Sequence, residues 1–276
     1  MRLSISHTTR YRYDEPLDHG LQRLRLIPRS NSAQTVRKWA VSTAGAIVEA
    51  EYDDHYGNRV MLLNVDPDSA ALEIGVTGEV DTIDNTGVFG PHRDHLPLWV
   101  YRRETTLTAP GAGIATLTED LRDHDGNALA CLHALSTKIA ETVAYQTGTT
   151  DAKTTAEDAL ENGSGVCQDQ THIFLAAART LGYPARYVSG YLMMNDRVDQ
   201  DAGHAWAEAH VDGLGWVGFD ISNKMCPDDR YVRVATGLDY REAAPISGLS
   251  FGAAGESLEV AIKVQQQNQT QSQSQS

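Results

Sequence analysis

The chain has 276 residues, 41% hydrophobic and 22% charged, with 23 basic residues against 37 acidic ones and a formal charge of −14. That length can bury a substantial core of one large or two smaller domains, and the ordinary hydrophobic content describes a globular protein rather than a disordered one. Five lysines and eighteen arginines form no basic stripe or tail, which argues against a nucleic-acid partner, and no apolar run approaches the length of a membrane span.

Cys131, Cys167 and Cys226 are widely and irregularly spaced, as neither a disulfide framework nor a zinc site would be. The first ten residues turn polar too early for the apolar core of a signal peptide, so a reducing cytoplasm is the expected location. Neither a metal nor another cofactor is expected.

From Leu3 to about Leu107 the sequence reads as strands. Thr9–Tyr13, Val36–Val41 and Leu72–Val80 alternate with period two, and Tyr56-Gly57-Asn58-Arg59 is a turn between Ala50–Tyr52 and Val60–Leu63. Short strands with turns at this spacing predict an antiparallel, sandwich-like domain over 1–108. His92 and His95 flank an acid, but no nearby residues complete a familiar ligand set, and the prolines mark a connecting loop. Pro110 and the glycines after it mark the seam to a second unit, 109–235.

Helical periodicity begins near Asn127 and runs to about Tyr145, with Leu132, Leu135 and Ile139 on one face and Asp125 or Asn127 as cap. Thr155-Ala156-Glu157-Asp158 predicts the capped start of a short helix that ends before Gly163. A flexible Gly163-Ser164-Gly165 run then gives way to an apolar helix opening at Cys167 and stopped by Gly182 and Pro184. A cysteine in the first turn of a helix meets unpaired N–H groups and the positive end of the dipole, which favours its thiolate and suits it as a nucleophile. The plainer reading is a small buried residue at a helix start.

His204-Ala205-Trp206-Ala207-Glu208-Ala209-His210 alternates strictly, placing His204, Trp206, Glu208 and His210 on one strand face. Asp212-Gly213 signals a hairpin, and Trp216–Asp220 is the returning strand. A three-residue turn pairs Val211 with Gly215 and sets Asp220 opposite Trp206, on the diagonal of His204; a four-residue turn sends Asp220 to the other face. The first register would let Asp220 orient His204 and let His204 take the proton of Cys167, the nucleophile–base–orienter arrangement of acyl transfer. Taken singly, His204 is a polar residue at a strand start and Asp220 a turn residue. Late strands are expected at Tyr231–Ala235 and Leu258–Val264, the segment 236–264 packing back on the body. Residues 265–276 are a Gln/Ser-rich tail expected to be disordered, so truncation after Val264 is expected to change neither melting temperature nor activity.

Gly163–Asp169, Leu181–Tyr191, His204–Glu208 and Gly215–Asp220 closely resemble the bacterial transglutaminase-like proteins, and the early strands resemble the β-rich N-terminal domain that precedes this core in many members. The resemblance implies an α+β fold whose papain-like core uses Cys167 as nucleophile, His204 as base and Asp220 as orienting acid, with an acyl-enzyme formed from an amide. The family often shows Asp-Pro-Thr-Asn where this chain reads Asp220-Ile221-Ser222-Asn223. The expected partner is a protein, peptide or amide substrate. Water as acceptor makes a cysteine peptidase or amidase, the favoured expectation; a primary amine makes a protein-glutamine transglutaminase. Two further readings are a non-catalytic binding module and a zinc site through Cys167, His204 and Cys226. The backbone N–H of Cys167 is a natural oxyanion donor, with Tyr145 or Gln146 as candidates for a second. The sequence leaves the oligomeric state open.

Overall fold

The computed structural model describes residues 1–15, 17–67, 69–93, 95–121, 126–251 and 255–267. Its strands are β1 (Arg2–Tyr13), β2 (His19–Ile27), β3 (Gln34–Ala44), β4 (Ala46–Asp53), β5 (Arg59–Val65), β6 (Ala71–Thr82), β7 (Val88–Gly90), β8 (Ala144–Tyr145), β9 (Ser164–Gly165), β10 (Ala185–Leu192), β11 (Asp199–Gln200), β12 (His204–Val211), β13 (Gly215–Phe219), β14 (Tyr231–Gly237), β15 (Ile246–Phe251) and β16 (Glu256–Gln266). Its helices are α1 (Ala112–Thr118), α2 (Ala128–Thr142), α3 (Ala156–Asn162), α4 (Cys167–Thr180) and α5 (Tyr240–Ala243).

Three sheets carry the architecture. One runs β11-β16-β1-β6-β3, a second β15-β2-β5-β4, and the third β14-β10-β12-β13-β7. The first two form a β-rich sandwich, and the third, with the helices, forms a second unit. The alternating burial of β1 and β6 is the period-two pattern of strands covered on one face. Leu24, Leu26, Leu63, Leu72 and Ile74 fill the space between the two sandwich sheets. Leu3, Ile5, Val80 and Ile262 instead pack against Tyr191, Val232 and Val234 of the core sheet, so one sandwich sheet covers both partners.

The chain crosses between the units repeatedly. β7 pairs with β13 at the edge of the core sheet, while β15 and β16 return to pair with β2 and β1. β16 extends two residues past Val264, where the sequence places the end of ordered chain: Gln265 pairs with Ser4 and Gln266 with Leu3. The ladder supplies what composition lacks, since backbone pairing needs no apolar side chain. The remainder of the predicted tail, from 268 on, lies outside the described residues. Among the described residues no helix is long and apolar enough to cross a membrane.

Helix α4 lies on the core sheet and is buried from Asp169 to Arg179. The sheet residues facing it include Ala205, Ala207 and Ala209 of β12, small side chains that let the helix approach closely. Arg179, near its C-terminus, donates to the carbonyl oxygens of Tyr101, Ala185 and Leu238 and to Thr108 Oγ1. That end of the helix is thereby fixed to four separate segments.

Candidate active site

The start of α4 is set by the residues before it. α3 opens on the expected capping box of Thr155 with Asp158 and closes on Gly163 at φ +63, a left-handed position that favours glycine. The Gly-Ser-Gly run is held, which corrects the expectation of flexibility: Ala144 donates to Gly163 O and Gln146 to Gly165 O as β8 pairs with β9. A Cβ on Gly165 would come within 2.7 Å of Asp169. Its absence lets the Asp169 carboxylate fold back to accept from Val166 N at 2.7 Å and from Thr150 Oγ1 at 2.6 Å. Cys167 is therefore the first residue of a fixed helix, half-buried, with a backbone N–H that has no acceptor within the helix.

The hairpin takes the three-residue turn. Val211 pairs with Gly215, and the register continues to Ala207 opposite Phe219, which brings Asp220 level with Trp206. Gly213 and Gly215 turn the chain at φ +85 and +82. His204 Nε2 lies 2.6 Å from Asp220 Oδ2, and Asp220 is completely buried. Cys167 lies within electrostatic reach of the same imidazole and favours its protonated form. With Nε2 committed to Asp220, Nδ1 is the nitrogen left for the thiol. All three residues singled out from the sequence thus meet at one point.

Two partners of Asp220 escaped the sequence reading. Asn223 donates its side-chain amide to Asp220 Oδ2 at 2.7 Å and its backbone N–H to Oδ1 at 3.1 Å, and Tyr231 Oη donates to Oδ2 at 2.7 Å. The first had a legible signal, an Asp followed three residues later by Asn in a turn; the second comes from a separate strand. Ser222 Oγ donates to Gln170 Oε1 at 2.7 Å, fastening the Asp220 turn to the helix that carries Cys167. Trp206 stacks beside the His204 ring at a centroid distance of 6.2 Å. Tyr145 lies within electrostatic reach of Cys167 and Asp220. The Gln146 backbone N–H, by contrast, is committed to Gly165 O and is not available as an oxyanion donor.

Burial opposes charge on both members of the His204–Asp220 pair, but hydrogen bonding prevails. For Asp220, the bonds from His204, Asn223 and Tyr231 hold the carboxyl below its ordinary range. For His204, burial alone would lower the pKa, yet the bond to Asp220 and the charges of Asp220 and Cys167 push it up to about 10. A raised folded-state pKa contributes stability that is present in full below the unfolded value of about 6.5 and is lost as pH rises toward about 10. The stability difference between wild type and His204→Gln should therefore shrink between these limits in urea melts; a constant difference would contradict the pairing. Tyr231→Phe removes one donor to a buried carboxylate and is expected to cost about 1.5–3 kcal/mol in the same melts.

Among the described residues, no group of three or more His, Cys, Asp or Glu side chains could hold a metal ion. Cys226 lies against Gly87, and the His92 ring is bonded to Leu96 O and Trp216 Nε1 in its connecting loop.

Comparison with known proteins agrees with this architecture. Residues 3–81 match the bacterial transglutaminase-like N-terminal region and residues 115–221 the transglutaminase-like superfamily. An uncharacterised protein of Mycobacterium leprae is 28% identical over 283 residues, spanning 95% of this chain and 98% of that one. One from Mycobacterium tuberculosis H37Rv is 27% identical over 290 residues, spanning 95% and 92%. The crystal structure of a candidate cysteine protease from Cytophaga hutchinsonii has the same fold, with a TM-score of 0.71 and 21% identity over 96% of this chain and 98% of that one. The chain therefore carries a transglutaminase-like core preceded by a bacterial transglutaminase-like N-terminal region.

Proposed function

We propose that the protein is a cysteine-dependent hydrolase of amide or peptide bonds, acting through Cys167, His204 and Asp220. The observation that carries this reading is the His204 ring, bonded to buried Asp220 at 2.6 Å and within electrostatic reach of Cys167 at a helix start. The Cys167 thiolate attacks the amide carbonyl, forming the C–S bond and a tetrahedral oxyanion beside the Cys167 N–H. Collapse breaks the C–N bond, and the imidazolium of His204 gives its proton to the departing amine. Water then attacks the thioester as His204 takes its proton, releasing the acid and the thiol. Asp220 holds the ring in position and balances its charge throughout.

Hydrolysis is favoured over transfer to an amine because an amine can outcompete water only in a site that excludes water, and Cys167 is only half-buried. Ammonia or amine release from glutamine-containing peptides, measured with and without added primary amine, tests the choice. Acid product at an unchanged rate supports hydrolysis; amine-dependent crosslinking would establish a transglutaminase, and no release from any peptide would favour a binding module. We also place the protein in the cytoplasm, consistent with three unpaired cysteines, and cell fractionation checks this.

A further inference from the structure

Strand β14 ends the core sheet, and its outer edge is covered by side chains of the sandwich. Among the described residues it pairs only with β10. A buried edge strand has backbone N–H and C=O groups that must find other partners. Gln34 Oε1 accepts from Arg233 N at 2.8 Å, and Gln34 Nε2 donates to Arg233 O at 2.8 Å. Asn58 Oδ1 accepts from Thr236 N at 2.9 Å, and Asn58 Nδ2 donates to Thr236 O at 2.7 Å. Each amide takes both groups of one residue, as a residue of a neighbouring antiparallel strand would. Just ahead of the strand, Thr82 Oγ1 donates to Asp229 O.

The two amides are themselves fixed. Gln34 opens β3 in one sandwich sheet, and Asn58 ends the turn before β5 in the other. Gln34 Nε2 also donates to Arg29 O at 2.8 Å, Asn58 Nδ2 donates to Asp54 Oδ2 at 2.9 Å, and both residues are buried. The ladder they support is interrupted, because the register of β10 against β14 shifts between Ser189 and Gly190. Asn58 holds β14 on the Ser189 side of that shift and Gln34 holds it on the Gly190 side.

Between the Thr82 and Gln34 contacts stands Tyr231, whose hydroxyl donates to Asp220 Oδ2 at 2.7 Å. His204 Nε2 lies 2.6 Å from the same oxygen. Two donors on one oxygen share its electron density, so the strength of one bond depends on the placement of the other. Tyr231 is two residues from Arg233 on one strand, and a displacement of β14 there moves its hydroxyl relative to Asp220.

We propose that Gln34 is a positioning residue for the His204–Asp220 pair. By holding the β14 backbone at Arg233 it sets the distance of Tyr231 from Asp220 Oδ2, and through that oxygen the hold on His204. The sandwich is then part of the site rather than an appended domain. The consequence for turnover rests on the amide-cleaving reading above.

Proton NMR of the full chain at neutral pH tests the link without a substrate. The His204 Nε2 proton, in a short bond to a carboxylate, should resonate far downfield and be missing from His204→Gln. Tyr231→Phe removes the competing donor, so this resonance should move further downfield. Gln34→Met, similar in length but unable to bond either backbone group, should move it the same way by a smaller amount. Gln34→Glu keeps an acceptor for Arg233 N, should fall between wild type and Gln34→Met, and stands in if the methionine variant does not fold. In the Tyr231→Phe background, a change at Gln34 should add nothing. Leu63→Ala opens a cavity between the sandwich sheets and destabilises the same domain, yet should leave the resonance in place. A resonance unmoved by the Gln34 variants or by Tyr231→Phe overturns the proposal. So does a full additional shift in the Tyr231→Phe background, or an equal shift in Leu63→Ala. On glutamine-containing peptides, Gln34→Met should lower kcat about three- to tenfold with KM unchanged. If wild type releases neither ammonia nor amine from any peptide, the hydrolase reading falls, and the resonance pattern still decides the role of Gln34.

Discussion

Replacing Cys167 with Ala should abolish amide turnover, and replacing His204 with Ala should lower it by roughly 10³–10⁴-fold. On the proposed mechanism the first change removes the nucleophile, and the second removes the general acid–base and the cation beside the thiol. Alkylation reports the same relationship without a substrate. Burial raises the pKa of both Cys131 and Cys226, disfavouring their thiolates, whereas Cys167 is half-buried and within electrostatic reach of His204. Iodoacetamide at mildly acidic pH should therefore modify Cys167 first, and His204→Ala should slow that reaction. Asp220→Asn should cost less, about a hundredfold, because Asn223 and Tyr231 still hold the position while the charge opposite the imidazolium is gone. If Cys131 or Cys226 reacts before Cys167, or if Cys167→Ala turns over a verified substrate, the nucleophile lies elsewhere.

Local physics explains which parts of this arrangement were legible in the sequence. The helix at Cys167 was readable because a Gly-Ser-Gly break, an apolar period and a Gly–Pro stop follow one another directly between Gly163 and Pro184. The hairpin was readable up to a choice of turn, because side-chain facing depends only on register, and Gly215 at φ +82 then accommodates the shorter option. Tyr231 was hidden because its bond to Asp220 joins strands that are not neighbours in the sheet. Helix α1 follows Pro110 and lies where the sequence suggests a seam. Its N-terminus is held by Glu157, whose carboxylate accepts from Gly111, Gly113 and Ile114, some forty residues away in the chain. The return of β15 and β16 to the N-terminal sheets was likewise invisible, since a strand's pattern shows that one face is covered but not by what.

The same alternation that sets His204 on its strand face also buries a charge, and this sets the largest stability effect expected outside the site. Glu208 is completely buried four residues along that face. Its Oε2 accepts from Arg186 Nε at 2.7 Å, and its Oε1 lies 3.3 Å from Arg233 Nε. Arg186 is itself buried, with its guanidinium 3.9 Å from the centre of the Trp216 ring. Removing one member of such a group leaves the others desolvated without their counter-charge, a cost of about 3–5 kcal/mol. Arg186→Ala should lose that amount in urea melts, together with the stacking on Trp216. Glu208→Gln keeps the shape but leaves two guanidiniums facing a neutral amide, and should lose a comparable amount. The double variant Arg186→Met with Glu208→Leu should recover part of the loss, because apolar groups of similar volume can replace a buried ion pair at little net cost. Single variants within about 1 kcal/mol of wild type would mean that solvent reaches the pair. Trp206 and Trp216 stand on the same strand pair as His204 and Asp220, so a loosened Arg186–Glu208 contact should also lower turnover without touching the three residues at its centre.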